Sequence, residues 1–111
     1  MATILNRYSN IMAMNVGGMI ELAEDPMKMA NHLAHHMEDD IARTRREGYA
    51  LIEDIEKLED DRSVPNAEAL LVAKKAELMK LHEIHEKLQE QQRQIAILTA
   101  AMYELQRAKK S

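Results

Sequence analysis

A heptad repeat in the first half of the chain constrains the fold more than any other feature of the sequence. One position of the repeat is occupied by Ala30, Met37, Thr44, Leu51 and Leu58, and the other by Ala34, Ile41, Gly48 and Ile55. A repeat of about 3.5 residues over several turns is typical of a helix that packs lengthwise on another helix. The Asp25-Pro26 pair favours a helix start, because Asp caps free N–H groups and Pro fits the first helical position. We therefore predict a helix over residues 25–62.

A second long helix is predicted over residues 66–110. Leu81, Leu88, Ile95 and Met102 form one apolar row, and Ile84, Leu98 and Leu105 form another in which Gln91 is the only polar member. The intervening segment 60–66 has turn composition, and either Ser63 or Asn66 can cap the following helix. Because a short turn makes successive helices antiparallel neighbours, the sequence predicts a hairpin with its turn at 62–66. The longer second helix should overhang the first with residues 102–111.

The register of this hairpin is predicted by charge as well as by apolar residues. Residues 25–62 carry 11 acids and 6 bases, whereas residues 66–111 carry 6 acids and 8 bases. The antiparallel pairing places Glu53 and Asp54 opposite Lys74 and Lys75, Asp39 and Asp40 opposite Lys87, and Arg45 and Arg46 near Glu83. We expect the seam between the helices, which is also the assembly surface, to contain Met37, Ile41, Leu51, Ile55, Leu58, Leu81, Ile84, Leu88, Ile95, Leu98 and Met102.

Composition limits what else the chain can be. Its 111 residues fit one domain, the net charge of −4 argues against a nucleic-acid partner, and the absence of Cys excludes disulfides and thiolate metal sites. Two paired helices have no closed core, so further apolar residues require other partners. This deficit predicts a homo-oligomer, because further apolar residues outside the seam also need partners, namely Leu33, Ile52, Leu71, Ile97 and Tyr103.

The N-terminal segment, residues 1–24, is a separate unit with a predicted amphipathic helix over 2–22. Its apolar stripe contains Ile4, Leu5, Tyr8, Ile11, Met12, Val16, Met19 and Ile20. Such a helix either lies in a membrane interface or docks on the hairpin or a neighbouring subunit, and the residues alone leave both hypotheses open. The longest uncharged stretch, residues 8–20, is shorter than the roughly 20 apolar residues that span a bilayer.

One pattern in this region resembles a known family. It consists of Ile4, Arg7, Ile11, Asn15 and Ile20, the block Ala23-Glu24-Asp25-Pro26, then Lys28-Met29, Met37-Glu38 and Ile41. Over residues 4–45 this resembles the phage shock protein A family, bacterial relatives of ESCRT-III. The resemblance implies a non-enzymatic protein that polymerises, binds and remodels bilayers in envelope stress, and lies on the cytoplasmic face of the cell membrane. It implies lipid contact by Ile4, Leu5, Arg7, Tyr8, Ile11, Met12 and Met19.

The chain also departs from that family. It is about half as long as family members, its hairpin is shorter, and the helices that follow the hairpin are missing. The membrane-facing Phe positions of the family hold Ile4 and Tyr8 here. The resemblance also implies an alternative function, a regulatory hairpin that binds an AAA+ transcription activator or a longer family member.

Histidines are the residues that best fit a metal site. His32, His35 and His36 form one group and His82 and His85 another, with Glu38, Glu83 and Glu86 nearby. The antiparallel register separates the two groups by about 15 Å, so one hairpin cannot close a site from both. We expect solvated or partly packed histidines and no cofactor, and the sequence shows no catalytic motif. Arg43, Arg45 and Arg46 are expected to pair with Glu83 and Glu86, with a lipid or protein partner as the alternative.

Overall fold

The computed structural model describes residues 3–110, and all regular structure in that range is helical. A 3₁₀ helix, Ile4–Arg7, is followed by α1 (Tyr8–Met12), α2 (Val16–Glu21), α3 (Pro26–Asp60) and α4 (Ala67–Lys110). Residues 1, 2 and 111, which belong to the predicted ranges 1–24 and 25–111, lie outside the described residues.

The long helices α3 and α4 pack against each other, which confirms the predicted helical hairpin. Helix α3 has 35 residues and begins at Pro26, and the Asp25 carboxylate accepts a hydrogen bond from the Lys28 N–H at 3.2 Å. Helix α4 has 44 residues, and residues 103–109 of its end are exposed. The molecule is a rod of 71 × 19 × 19 Å.

Of the two predicted caps of α4, Ser63 lies within the turn and Asn66 directly precedes the helix. The Ser63 hydroxyl and its N–H both donate to the Asp61 carboxylate, so Ser63 serves the turn and does not cap α4. These two donors lower the pKa of Asp61, because they stabilise its charged form. Asn66 has a φ of 62°, a left-handed conformation that Asn tolerates better than most residues.

One ion pair between the long helices agrees with the predicted register, whereas several other charged residues have partners that were not predicted. Lys74 Nζ lies 3.3 Å from Asp54 Oδ2, as the antiparallel pairing predicts. Glu53 instead pairs with Lys57 of its own helix at 3.2 Å, and Lys75 pairs with Glu59 at 3.6 Å. Asp40 and Glu83 have partners in the N-terminal segment in place of Lys87 and Arg45 or Arg46, because that segment competes for them.

The core extends beyond the hairpin seam. Nine of the predicted seam residues are buried and the other two, Leu98 and Met102, are partly buried. Leu33 and Leu71, which were expected to need external partners, are buried within the chain. Leu33 lies in a cluster with Ile4, Ile11, Val16 and Ile20, and Leu71 lies near the turn with Ile55, Leu58 and Ala67. The N-terminal segment thus forms a third layer over part of the hairpin, whereas Ile52, Ile97 and Tyr103 remain exposed.

Candidate functional site: the docked N-terminal segment and the groove beside it

The N-terminal segment is not the continuous helix that its apolar stripe predicts. It breaks between Met12 and Val16, where the Asn15 side chain caps α2 by accepting a hydrogen bond from the Gly18 N–H at 3.1 Å. Gly17 is buried against α4, and a Cβ atom at this position would lie 2.8 Å from Gln94 Nε2. The break and the glycine let short helical pieces follow the hairpin closely.

Apolar side chains of the segment fill the surface of the hairpin. Ile4, Ile11 and Val16 are fully buried and Ile20 is nearly so, together with Met37, Ile41, Leu81, Ile84, Leu88 and Ile95. Each such side chain contributes about 1.5–3 kcal/mol when it is removed from water. Of the two hypotheses that the residues left open, docking on the hairpin is the arrangement in this structure.

The predicted lipid-contact residues divide into two groups in this arrangement. Ile4 and Ile11 are buried, and Leu5, Arg7 and Tyr8 are partly buried. Met12 and Met19 point outward, with 37% and 43% of their surface exposed. Lipid contact by Ile4 and Ile11 therefore requires the segment to leave the hairpin.

A partly buried ion pair holds the start of the segment on the hairpin. Arg7 donates two hydrogen bonds to the Asp40 carboxylate, at 2.9 and 3.1 Å, and the Asp40 side chain is only 6% exposed. His36 Nε2 lies 3.8 Å from the same carboxylate. Burying a carboxylate without a partner costs free energy, so the hydrogen bonds from Arg7 offset the burial of Asp40. In turn, Asp40 fixes the orientation of Arg7.

Two further side chains of the hairpin accept backbone N–H groups of the segment. Glu47 accepts the Ile4 N–H with both carboxylate oxygens at 3.1 Å. Gln91 Oε1 accepts the Val16 N–H at 3.0 Å inside the core. Both N–H groups lie at helix starts, where no intrahelical acceptor exists. Gln91 is the single polar residue in the apolar row of α4, and this was the sequence signal for its contact with Val16. The sequence pattern did not predict that contact.

Tyr8 links the segment to α4. Its hydroxyl donates to the Glu83 carboxylate, and Lys80 Nζ lies 5.5 Å from the centre of its ring. The hydrogen bond to Glu83 raises the pKa of Tyr8, and burial and the negative charge of Glu83 act in the same direction. The Tyr8 hydroxyl must keep its proton for this contact to persist.

The histidines and arginines do not form the sites that their spacing suggested. No group of three metal-ligating side chains within residues 3–110 is placed to hold a metal ion. The His32 and His36 rings stack at 6.3 Å, and His82 pairs with Glu86 at 3.1 Å. Because Glu83 binds Tyr8 and Glu86 lies beside His82, the ion pairs expected from Arg43, Arg45 and Arg46 to these glutamates are not formed among the described residues.

An open apolar groove of about 600 Å³ lies between α3 and α4. Tyr49 follows Asp40 by nine residues, or about two and a half helical turns, so it faces away from the docked segment. The groove was missed from the sequence, although Gly48 and the exposed Ile52 were its signals. Its lining includes Arg45, Gly48, Tyr49, Ile52, Leu78, Met79, His82 and His85.

Comparison with protein-family models, with curated proteins and with solved structures found no match. The resemblance to the phage shock protein A family therefore depends on the residue pattern alone. Within residues 3–110, no helix has the length and apolar content needed to cross a bilayer.

Proposed function

We propose that this chain is a non-enzymatic, self-assembling protein that binds or remodels bilayers in envelope stress, as the resemblance to phage shock protein A implies. In this proposal it lies on the cytoplasmic face of the cell membrane, and its N-terminal segment exchanges between the hairpin and lipid. The supporting observation is that the apolar side chains expected to enter lipid, Ile4 and Ile11, are covered by the hairpin.

The exchange is governed by the polar contacts of the segment. Apolar side chains gain similar free energy whether protein or lipid removes them from water. The contacts of Arg7, Tyr8 and the Ile4 N–H with the hairpin exist only when the segment is docked. They bias the segment towards the hairpin, and a bilayer must compensate for their loss.

Release of the segment also links lipid binding to assembly. When the segment leaves, the hairpin exposes the apolar surface that included Met37, Ile41 and Ile84. Exposed apolar surface of this extent favours association. Copies that have given their N-terminal segments to lipid then cover one another.

A cysteine lock tests this exchange. The chain has no cysteine, so Gly17→Cys with Gln94→Cys introduces a unique pair across the docked segment. Shortening Gln94 also removes the atom that a Cβ at residue 17 would meet. A short bis-maleimide then crosslinks the two thiols over distances that a disulfide cannot span. We expect the untreated variant to sediment with vesicles of phosphatidylethanolamine and phosphatidylglycerol, and the crosslinked variant to stay in the supernatant.

A matched pair controls for crosslinking itself. Asp54→Cys with Lys74→Cys can be crosslinked in the same way at an ion pair remote from the segment, and its crosslinked form should still sediment. Equal sedimentation of the crosslinked and untreated Gly17/Gln94 variants would disprove the exchange. Failure of the wild-type protein to sediment would remove the membrane function altogether.

A second function, regulation of a protein partner, is favoured by exposed apolar residues near the end of α4. Tyr103 and Leu105 are 54% and 64% exposed. In this alternative the hairpin binds an AAA+ activator or a longer family member. Inhibition of a purified phage-shock-type AAA+ ATPase, lost when the chain is truncated after residue 101, would support regulation, and unchanged ATPase activity would exclude it.

A further inference from the structure

The face of α3 that borders the groove carries apolar residues between two opposite charges. Arg45, Tyr49, Ile52 and Glu56 are spaced by four, three and four residues, so they lie along one side of the helix. Tyr49 and Ile52 are 71% and 41% exposed, and Met79 of α4 beside them is 68% exposed. Such an apolar surface in the middle of a rod indicates a binding face.

Gly48 adjoins Tyr49 on this face, and no neighbour within residues 3–110 explains it. Glycine in a helix interior weakens the helix relative to alanine. A Cβ atom at residue 48 would meet no atom within 4 Å, and no glycine among the described residues has a positive φ. The space above Gly48 therefore permits close approach by something outside the chain.

The two charges of the face have no ionic partner among the described residues. Arg45 was expected to pair with Glu83, but the Glu83 carboxylate accepts the Tyr8 hydroxyl. Glu56 likewise makes no ion pair, although Glu53, Asp54 and Glu59 around it do. Because Arg45 and Glu56 are about 16 Å apart along the helix, they cannot pair with each other in one chain.

An antiparallel second copy satisfies both charges at once. A two-fold axis between Tyr49 and Ile52 places Arg45 of each chain against Glu56 of the other. The same operation packs Tyr49 against Ile52 of the other copy, at the level of Gly48. Two-fold dimers are the commonest oligomers of soluble proteins, and their interfaces are self-complementary in this way.

We infer that the groove face is the contact of an antiparallel homodimer, in which two hairpins form a four-helix bundle. This inference rests on the proposed self-assembly and names its first contact, which does not use the docked N-terminal segment.

Charge reversal tests the dimer and its register. The mass of the wild-type protein, measured by sedimentation equilibrium, should be that of a dimer. Arg45→Glu and Glu56→Arg should each raise the dissociation constant by about 100-fold or more, because every reversal creates two like-charge contacts. Combining both reversals in one chain should restore the dimer, and an equimolar mixture of the two single variants should form a heterodimer.

Two more variants separate the interface from folding and from net charge. Gly48→Leu fills the groove while favouring helix, so it should give a helical monomer by circular dichroism and sedimentation. Lys28→Glu, which makes the same charge change as Arg45→Glu at the far end of α3, should leave the dimer intact. A monomeric wild-type protein at high concentration, or a mixture of single variants that stays monomeric, would overturn the inference. Vesicle binding by the lockable variant is measured separately, so failure of the dimer and failure of the membrane function are distinguishable.

Discussion

Apolar residues lie on both sides of the hairpin, yet the N-terminal segment covers only one side within residues 3–110. On the covered side Asp40 and Gln91 are buried, and each is matched by a group of the N-terminal segment. On the groove side Arg45 and Glu56 lie at the ends of an exposed apolar stripe, and neither has an ionic partner in the part of the chain that the structure describes. Buried polar groups need specific partners, whereas exposed ones tolerate water. The comparison teaches that polar residues distinguish the surface that is covered within the chain from the surface that is open.

Alanine substitutions of isoleucines on the two sides should show the largest difference in the free energy of unfolding. Ile11→Ala removes a fully buried side chain and should lower the free energy of unfolding by about 2–5 kcal/mol. Ile52→Ala, measured at a concentration where the chain is monomeric, should cost less than about 1 kcal/mol, because Ile52 is already exposed. Urea denaturation of both variants checks this, and equal losses would mean that the segment does not stay docked.

Loss of the Arg7–Asp40 ion pair on the covered side should have the second-largest effect on stability. Arg7→Ala leaves the buried Asp40 carboxylate without its main partner and should cost about 1–3 kcal/mol. Arg46→Ala, on the same helix as Asp40 but exposed, should change stability little. A double-mutant cycle with Asp40→Ala should show strong non-additivity, and additive losses would contradict the contact.

Two helical glycines sharpen the comparison further. Gly48→Ala should stabilise the monomer by about 0.5–1 kcal/mol, because alanine favours helix and the space is open. Gly17→Ala should give little or no gain, since the new Cβ must displace the end of the Gln94 side chain. Thermal unfolding at low concentration compares them, and an equal gain at both positions would show that Gly17 is not packed against α4.

The smallest expected effect is a pH dependence confined to the covered side. Because folding raises the pKa of Tyr8, its contribution to stability is complete below the pKa of the unfolded state and is lost as pH rises through the folded value. The loss therefore falls near and above about pH 10. Tyr8→Phe should remove this loss in alkaline unfolding experiments, whereas Tyr49→Phe should retain it. An unchanged alkaline profile in Tyr8→Phe would argue against the Glu83 contact.

Sequence periodicity predicted the helical hairpin, but it did not predict how the N-terminal segment packs on the hairpin. The seam from Met37 to Ile95 and the Asp25 cap follow from local spacing and helix-end chemistry, so they could be read directly. Gln91 was visible as a polar interruption, but the N–H that it accepts comes from Val16, 75 residues away. The groove depends on Gly48, Tyr49 and Met79 together, and no single helix pattern brings them to one place.

The sequence by itself determined two long helices, their antiparallel pairing and an apolar N-terminal stripe, because these depend on spacing and on short-range rules. Tertiary structure alone decided that the stripe breaks at residues 13–15 and lies on its own hairpin, where Arg7 meets Asp40. The physical reason is that burial stabilises an apolar stripe whichever surface buries it. Only the three-dimensional positions of the polar partners select the surface on which the stripe docks.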